Sequence, residues 1–189
     1  TTSGSAWTLQ PILASGSVFV LYTDPGYTNS TYVKKWNATT SMWEQLGGAV
    51  GSNLSYPPRL AVDGSGRPYV AYASGNYIYV YRYEFGSWNS LGGSYYAPYS
   101  PYDLSLDVTN SGIPYIAYRY YSAGDFIQVI YLSGGYFNNL GGTLSGSSPS
   151  FVIASDGTLY LAYSSGSYTY VYSWNAPGFY WQLVSSIYL

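Results

Sequence analysis

Short apolar runs alternate along the chain with clusters of Gly, Ser, Pro, Asn and Asp, and no window keeps the three-to-four-residue apolar period of a helix. The strongest run occurs three times, as Gly66-Arg67-Pro68-Tyr69-Val70-Ala71-Tyr72, Gly112-Ile113-Pro114-Tyr115-Ile116-Ala117-Tyr118 and Gly157-Thr158-Leu159-Tyr160-Leu161-Ala162-Tyr163. A worn fourth copy reads Gly16-Ser17-Val18-Phe19-Val20-Leu21-Tyr22. Nearly every position in these runs is apolar, without the alternation of a half-exposed strand, so each is predicted to be a strand covered on both faces. The shared small residue (Ala71, Ala117, Ala162) predicts a place where neighbouring sheets approach closely.

Each copy lies in a unit of about 45 residues, the period of propeller blades. The units run over 11–57, 58–100, 101–148 and 149–189, and each divides into four short strands, a to d. Strand a contains Ile12-Leu13-Ala14, Leu60-Ala61-Val62, Leu104-Ser105-Leu106 or Phe151-Val152-Ile153. A tight turn rich in Gly, Asp and Asn follows, where positive φ is needed. Strand b is the repeated run. Strand c contains Tyr32-Val33, Tyr79-Val80-Tyr81, Gln128-Val129-Ile130 or Tyr170-Val171-Tyr172. Strand d contains Trp43-Glu44-Gln45-Leu46, Trp88-Asn89-Ser90-Leu91, Phe137-Asn138-Asn139-Leu140 or Tyr180-Trp181-Gln182-Leu183, and the first three end in Leu-Gly-Gly. The predicted fold is therefore all-β, a β-propeller of about four four-stranded antiparallel blades in one domain over 11–189; an antiparallel sandwich is the alternative. Residues 1–10 stand apart. Ala6-Trp7-Thr8-Leu9-Gln10 resembles a d strand, yet the last unit already has one. This surplus N-terminal strand could add to a blade, remain disordered or pair with another subunit's sheet edge, with Trp7, Leu9, Trp181 and Leu183 as the residues of closure or exchange.

The pattern Leu-Ala-Val-Asp…Gly-x-Pro-Tyr-Val-Ala-Tyr…Trp-x-x-Leu-Gly-Gly (Leu60 to Tyr72, Trp88 to Gly93) resembles the repeats of secreted bacterial and archaeal β-propeller proteins. The resemblance covers nearly the whole chain. It implies the fold, but propellers of this kind serve as lectins, adhesion modules, enzyme scaffolds and structural parts, so it names no catalytic residue.

Composition narrows the function. The chain is 21% aromatic with 27 Tyr and only 7% charged, and its net charge is -2. That excludes the clustered basic surface of a nucleic-acid binder. His and Cys are absent, which removes the commonest general base and the thiolate and imidazole metal ligands. No apolar run approaches a membrane-spanning length. The composition resembles that of cell-surface proteins of thermophilic archaea, and a first residue Thr1 predicts a processed N-terminus.

Among the acids, Asp63 and Asp156 sit in predicted a–b turns, where Asp serves turn hydrogen bonding. An all-oxygen calcium site at Asp63 or Asp107 is the one cofactor the sequence allows; otherwise none is expected. Arg59, Arg67, Arg82 and Arg119 occupy different repeat positions and predict no arginine cluster. Tyr faces stack on sugar rings, so Tyr95, Tyr96 and Tyr99 of a predicted d–a loop, and Tyr120 and Tyr121 after strand b, are the ligand or partner contact candidates. Sequons at Asn29, Asn37 and Asn53 are candidate glycosylation sites. The expected function is a non-enzymatic extracellular structural or adhesive protein of the cell surface, self-associating into oligomers or filaments by terminal strand exchange. A glycan-binding, lectin-like propeller is the alternative, and a non-catalytic fragment of a larger secreted enzyme the weaker one.

Overall fold

The computed structural model describes residues 9–24, 29–52, 54 and 56–188. Every helix or strand among them is a strand, as the Tyr, Val, Ile and Trp content favours. Four antiparallel four-stranded sheets follow one another along the chain, each a meander in sequence order. Blade 1 holds β1 (Leu9–Ala14), β2 (Ser17–Asp24), β3 (Ser30–Asn37) and β4 (Met42–Gln45); blade 2 holds β5 (Arg59–Val62), β6 (Pro68–Ser74), β7 (Tyr77–Glu84) and β8 (Ser87–Tyr96). Blade 3 holds β9 (Tyr102–Val108), β10 (Pro114–Tyr121), β11 (Asp125–Ser133) and β12 (Tyr136–Ser145); blade 4 holds β13 (Ser147–Ile153), β14 (Leu159–Ser165), β15 (Tyr168–Asn175) and β16 (Tyr180–Tyr188). The fold is a β-propeller of four blades.

The glycine that opens each repeated run is the left-handed residue of the a–b turn, at φ of 70° to 91° in Gly16, Gly66, Gly112 and Gly157. Leu-Gly-Gly closes strand d in blade 1, where β4 stops at Gln45, but not in the two inner blades. In blades 2 and 3 it forms a β-bulge, with register breaks opposite Tyr79/Tyr81 and Ile127/Val129, and the strand runs on to Tyr96 or Ser145. Register also shifts the fourth copy by one residue. Trp43, Trp88 and Phe137 pair with Trp36, Tyr83 and Leu132, and the residue so paired in blade 4 is Trp181, opposite Trp174.

The hydrophobic cores lie between the sheets. One cluster joins Phe19, Leu21 and Val33 of blade 1 to Leu60 and Val70 of blade 2. A second joins Tyr69, Ala71 and Val80 to Leu104, Ile116 and Tyr118 of blade 3. The third joins Ala117, Ile127 and Val129 to Phe151, Leu161 and Trp181 of blade 4. Each blade thus has a leading face toward the blade before it and a trailing face toward the blade after it. Ala71 and Ala117 are fully buried on trailing faces, where the sequence predicts close approach.

One contact recurs at all three junctions. The left-handed glycine of Leu-Gly-Gly abuts the aromatic of the next blade's strand d. A Cβ on Gly47 would lie 3.4 Å from Trp88, one on Gly92 3.1 Å from Phe137, and one on Gly141 3.2 Å from Trp181. Trp88 also donates its indole N–H to the carbonyl of Leu46 at 2.9 Å. Near the inner strands, side chains of one blade bind the backbone of the next. Gln10 exchanges two hydrogen bonds with Leu60, at 2.9 and 3.1 Å, while Ser105 and Asp107 accept the N–H groups of Phe151 and Ile153.

The end blades differ from the inner ones. β6 is buried at nearly every position, but β2 and β14 alternate between buried and half-buried residues. Coverage on both faces, expected for all four b strands, therefore fails at the ends, and no described cluster joins blade 4 to blade 1. The described part of the surplus strand also belongs elsewhere. Leu9 and Gln10 open β1, paired with Tyr22 and Leu21, because Gln10 is needed to hold Leu60; residues 1–8, with Trp7, lie outside the described residues.

Gly92→Ala is expected to destabilise the protein by about 2–4 kcal/mol, since a Cβ there falls 2.6 Å from Leu132 on a left-handed backbone. Gly93→Ala, equally left-handed but with open space, is expected to cost only about 1–2 kcal/mol. Trp88→Phe is expected to cost about 1 kcal/mol beyond packing for its lost hydrogen bond. Trp181, whose indole N–H has no partner among the described residues, has no such bond to lose on replacement by Phe. Urea unfolding of the four variants gives the order.

Candidate functional site

Asp63, fully buried, accepts the N–H groups of Ser65 and Arg67 at 2.9 Å, the Arg67 guanidinium at 2.7 Å and the Tyr69 hydroxyl at 3.2 Å. Tyr69 reaches on to the Gly112 carbonyl of blade 3, so this group ties junction 2–3. Asp107 accepts the N–H of Val108 as well as that of Ile153, and burial pushes its carboxyl up. Shells made of N–H and O–H donors do not fit a cation, and among the described residues no group of three or more acids assembles. Asp156 takes the N–H of Thr158, and Asp125 takes Arg119 at 2.8 Å and the Tyr102 hydroxyl at 2.9 Å; these bonds hold both carboxyls below their usual range. Glu84 pairs with Arg82, and Glu44 with Asn37.

The aromatic side chains form ladders. On the rim of the b–c and d–a connections, Tyr99 stacks on Tyr120 at 5.5 Å and 3°, and Tyr120 on Phe126 at 5.7 Å. Beside them Arg119 lies over the Tyr102 ring at 4.9 Å, and Tyr56 packs on Tyr102. At the opposite rim, blades 3 and 4 enclose a cleft of about 530 Å³ lined by Tyr115, Tyr131, Trp174 and Phe179, with Asp156 and Thr109 at its edge. Flat apolar walls with a carboxylate at the lip suit a ligand that has an apolar face and hydroxyl donors. A second hollow, of about 340 Å³, lies on the leading face of blade 1 among Leu9, Val20, Tyr22, Lys34 and Trp43.

The aromatic residues singled out from the sequence are not one loop patch. Only Tyr99 is in a loop; Tyr95 and Tyr96 end β8, while Tyr120 and Tyr121 end β10, because the glycine bulge lets strand d continue. Tyr95 packs inward, hydrogen-bonded to Tyr118 and to Asn139 at 2.7 Å. Tyr96 and Tyr121 are exposed. Asn29 has a left-handed φ of 49° beside β3, Asn37 caps the β3–β4 turn through Thr39 and Thr40, and Asn53 lies outside the described residues. Trp181 is buried at junction 3–4 and Leu183 is half-exposed on β16. The cleft at Trp174 and Phe179 was not singled out from the sequence. Its only signal is an aromatic (Phe179) in a Pro-Gly turn.

No protein-family model and no curated protein matches the chain. Solved structures do. A polysaccharide lyase described as an ulvan lyase superposes with a TM-score of 0.68 at 10% identity, over 96% of this chain and 56% of that one. A putative 6-phosphogluconolactonase from Bacteroides uniformis gives 0.65 at 16% identity, over 96% and 55%. An α-L-arabinofuranosidase from Clostridium thermocellum gives 0.57 at 16% identity, over 98% and 74%. These likenesses establish the fold. The chain spans about half the length of the first two.

Burial raises the hydroxyls of Tyr72, Tyr118 and Tyr163 far above their ordinary value of 10.0. A raised folded value means stability is full below the unfolded value and is lost as pH climbs beyond it. The fold is therefore expected to weaken steadily above about pH 10, and ultraviolet titration is expected to show these tyrosines ionising only as the sheets separate. Asp125 has the opposite sign. Its stabilising effect is present above the unfolded carboxyl value and is lost as pH falls, so Asp125→Asn is expected to flatten the acid limb of melts recorded against pH.

Proposed function

We propose that the chain is a non-enzymatic extracellular protein of the cell surface, structural and adhesive, which acts by association. The observation that carries this reading is the largely apolar sheet face that no described blade covers on each end blade. Monomeric soluble proteins rarely expose large contiguous apolar patches, and such patches mark interaction sites. The engagement of Asp63, Asp107, Asp125 and Asp156 in turns and junctions supports it further, since carboxylates held in this way are not poised for acid–base work. Electron microscopy of the native material is expected to show the protein in surface-bound clusters or ordered assemblies; dispersed single particles away from any cell surface would overturn the reading.

The cleft between blades 3 and 4 favours a second reading, a glycan-binding propeller. Tyr115, Tyr131, Trp174 and Phe179 offer ring faces, and Asp156 offers an acceptor for sugar hydroxyls. Carbohydrate-active enzymes among the similar folds agree with this reading, although they carry no residue to this chain. On a glycan array the protein is expected to retain a subset of sugars, and Phe179→Ala to weaken that retention about tenfold or more. Silence of the unaltered protein across the array removes the glycan reading.

A further inference from the structure

The three internal junctions share one design, and the chain carries an unused copy of each half of it. The donor half is on blade 1. Trp43 holds the place of Trp88, Phe137 and Trp181, packed edge-on against Trp36 at 5.4 Å, but no blade among the described residues seats it and it is 44% exposed. Around it on the leading face are Leu13, at 76% exposure, Val20 and Tyr22, in register with Val62, Val70 and Tyr72, which belong to the core of junction 1–2. The acceptor half is on blade 4. On its trailing face Tyr160, Ala162, Val171, Ser185 and Ile187 pair as Tyr115, Ala117, Val129, Leu140 and Leu144 do, the latter lining junction 3–4, and Val184 stands beside them at the break in register. Val184 and Ile187 are more than half exposed.

We propose that these two faces dock on each other between two copies of the chain, blade 4 of each against blade 1 of the other, closing a ring of eight blades about a twofold axis. This rests on the association reading above and gives it a partner and a surface. Two arguments select a second copy. The donor and acceptor of one interface sit on the same molecule, so head-to-tail pairing is self-complementary. The interface would continue a junction the chain already builds three times.

The intermolecular junction differs from the internal ones at one point. The residue paired with Val171 is Ser185, where the residue paired with Val129 is Leu140, and no left-handed glycine follows it as Gly141 follows Leu140. A polar side chain in the place of Leu140 removes apolar contact, which makes the junction between copies weaker than those within a copy.

Light scattering on the purified chain across a concentration series tests the proposal. The expected mass is twice 20.7 kDa at high concentration, dissociating on dilution. Trp43→Lys and Val171→Lys are each expected to weaken association by about 100-fold or more. An equimolar mixture of the two is expected to regain dimers, since one intact junction forms between the unaltered head of one copy and the unaltered tail of the other. A monomer at every concentration overturns the proposal, and so does a dimer insensitive to Trp43→Lys. A dimer lost with Trp43→Lys but unaffected by Val171→Lys would mean blade 1 pairs with itself, which also overturns it. Circular dichroism melts of each variant separate loss of docking from loss of fold. Surface clusters in the native material alongside a monomeric purified chain would leave the association reading standing while removing this partner.

Discussion

The seating of one blade's aromatic against the preceding blade's left-handed glycine is the contact on which the rest of the structure depends. Each sheet here is too thin to bury its own apolar residues, and its two faces are covered only by its neighbours. The glycine matters because its missing Cβ leaves the space that Trp88, Phe137 or Trp181 fills. Its left-handed backbone also makes the bulge that lets strand d bend across the junction. Close approach, bulge and ring seating are consequences of the same residue. Stability in such an array is a sum over junctions more than over blades, as in other repeat proteins.

The polar chemistry serves that arrangement. Inner strands would expose unpaired backbone groups along the axis, and Gln10, Ser105 and Asp107 meet some of those of the neighbouring blade. Asp63 does so less directly, drawing its own turn, Arg67 and Tyr69 into one group that ends on Gly112. With carboxylates engaged in this way, the groups left free at the surface are mostly aromatic rings and hydroxyls. Such a surface recognises by shape, stacking and hydroxyl contacts, with little long-range electrostatic steering because charge is scarce.

An array of this kind has ends, and ends have physical meaning. Inner blades bury both faces; the first and last each keep one face for something else. Capping units of repeat proteins usually carry a polar outer face. Blade 4 moves partway toward that with Thr169, Ser173 and Ser185, whereas blade 1 keeps Leu13, Val20, Tyr22 and Trp43 on its open side around Lys34 and Gln45. The asymmetry gives the molecule a direction, with an apolar head and a moderated tail.

The repeated run by itself determined the number of four-stranded sheets and the a–b turns, because period, turn glycines and β-forming residues are local properties that a chain displays in order. Ala71 and Ala117 could be read in the same way as points of close approach. What the line of residues could not display is which sheet lies against which. Leu-Gly-Gly reads locally as a strand end, as it is in blade 1, whereas at Gly92, with the Phe137 ring 3.1 Å from its Cβ position, it is a bulge through which Tyr95 and Tyr96 remain in strand β8. Gln10 reads as part of a spare strand until Leu60, fifty residues away, supplies its partner. The cleft at Tyr115, Tyr131, Trp174 and Phe179 draws on two blades, and the open faces of blades 1 and 4 are the ones that no described blade covers. Repetition wrote the blades into the sequence; contact between distant repeats decided the cores, the cleft and the two faces left to bind.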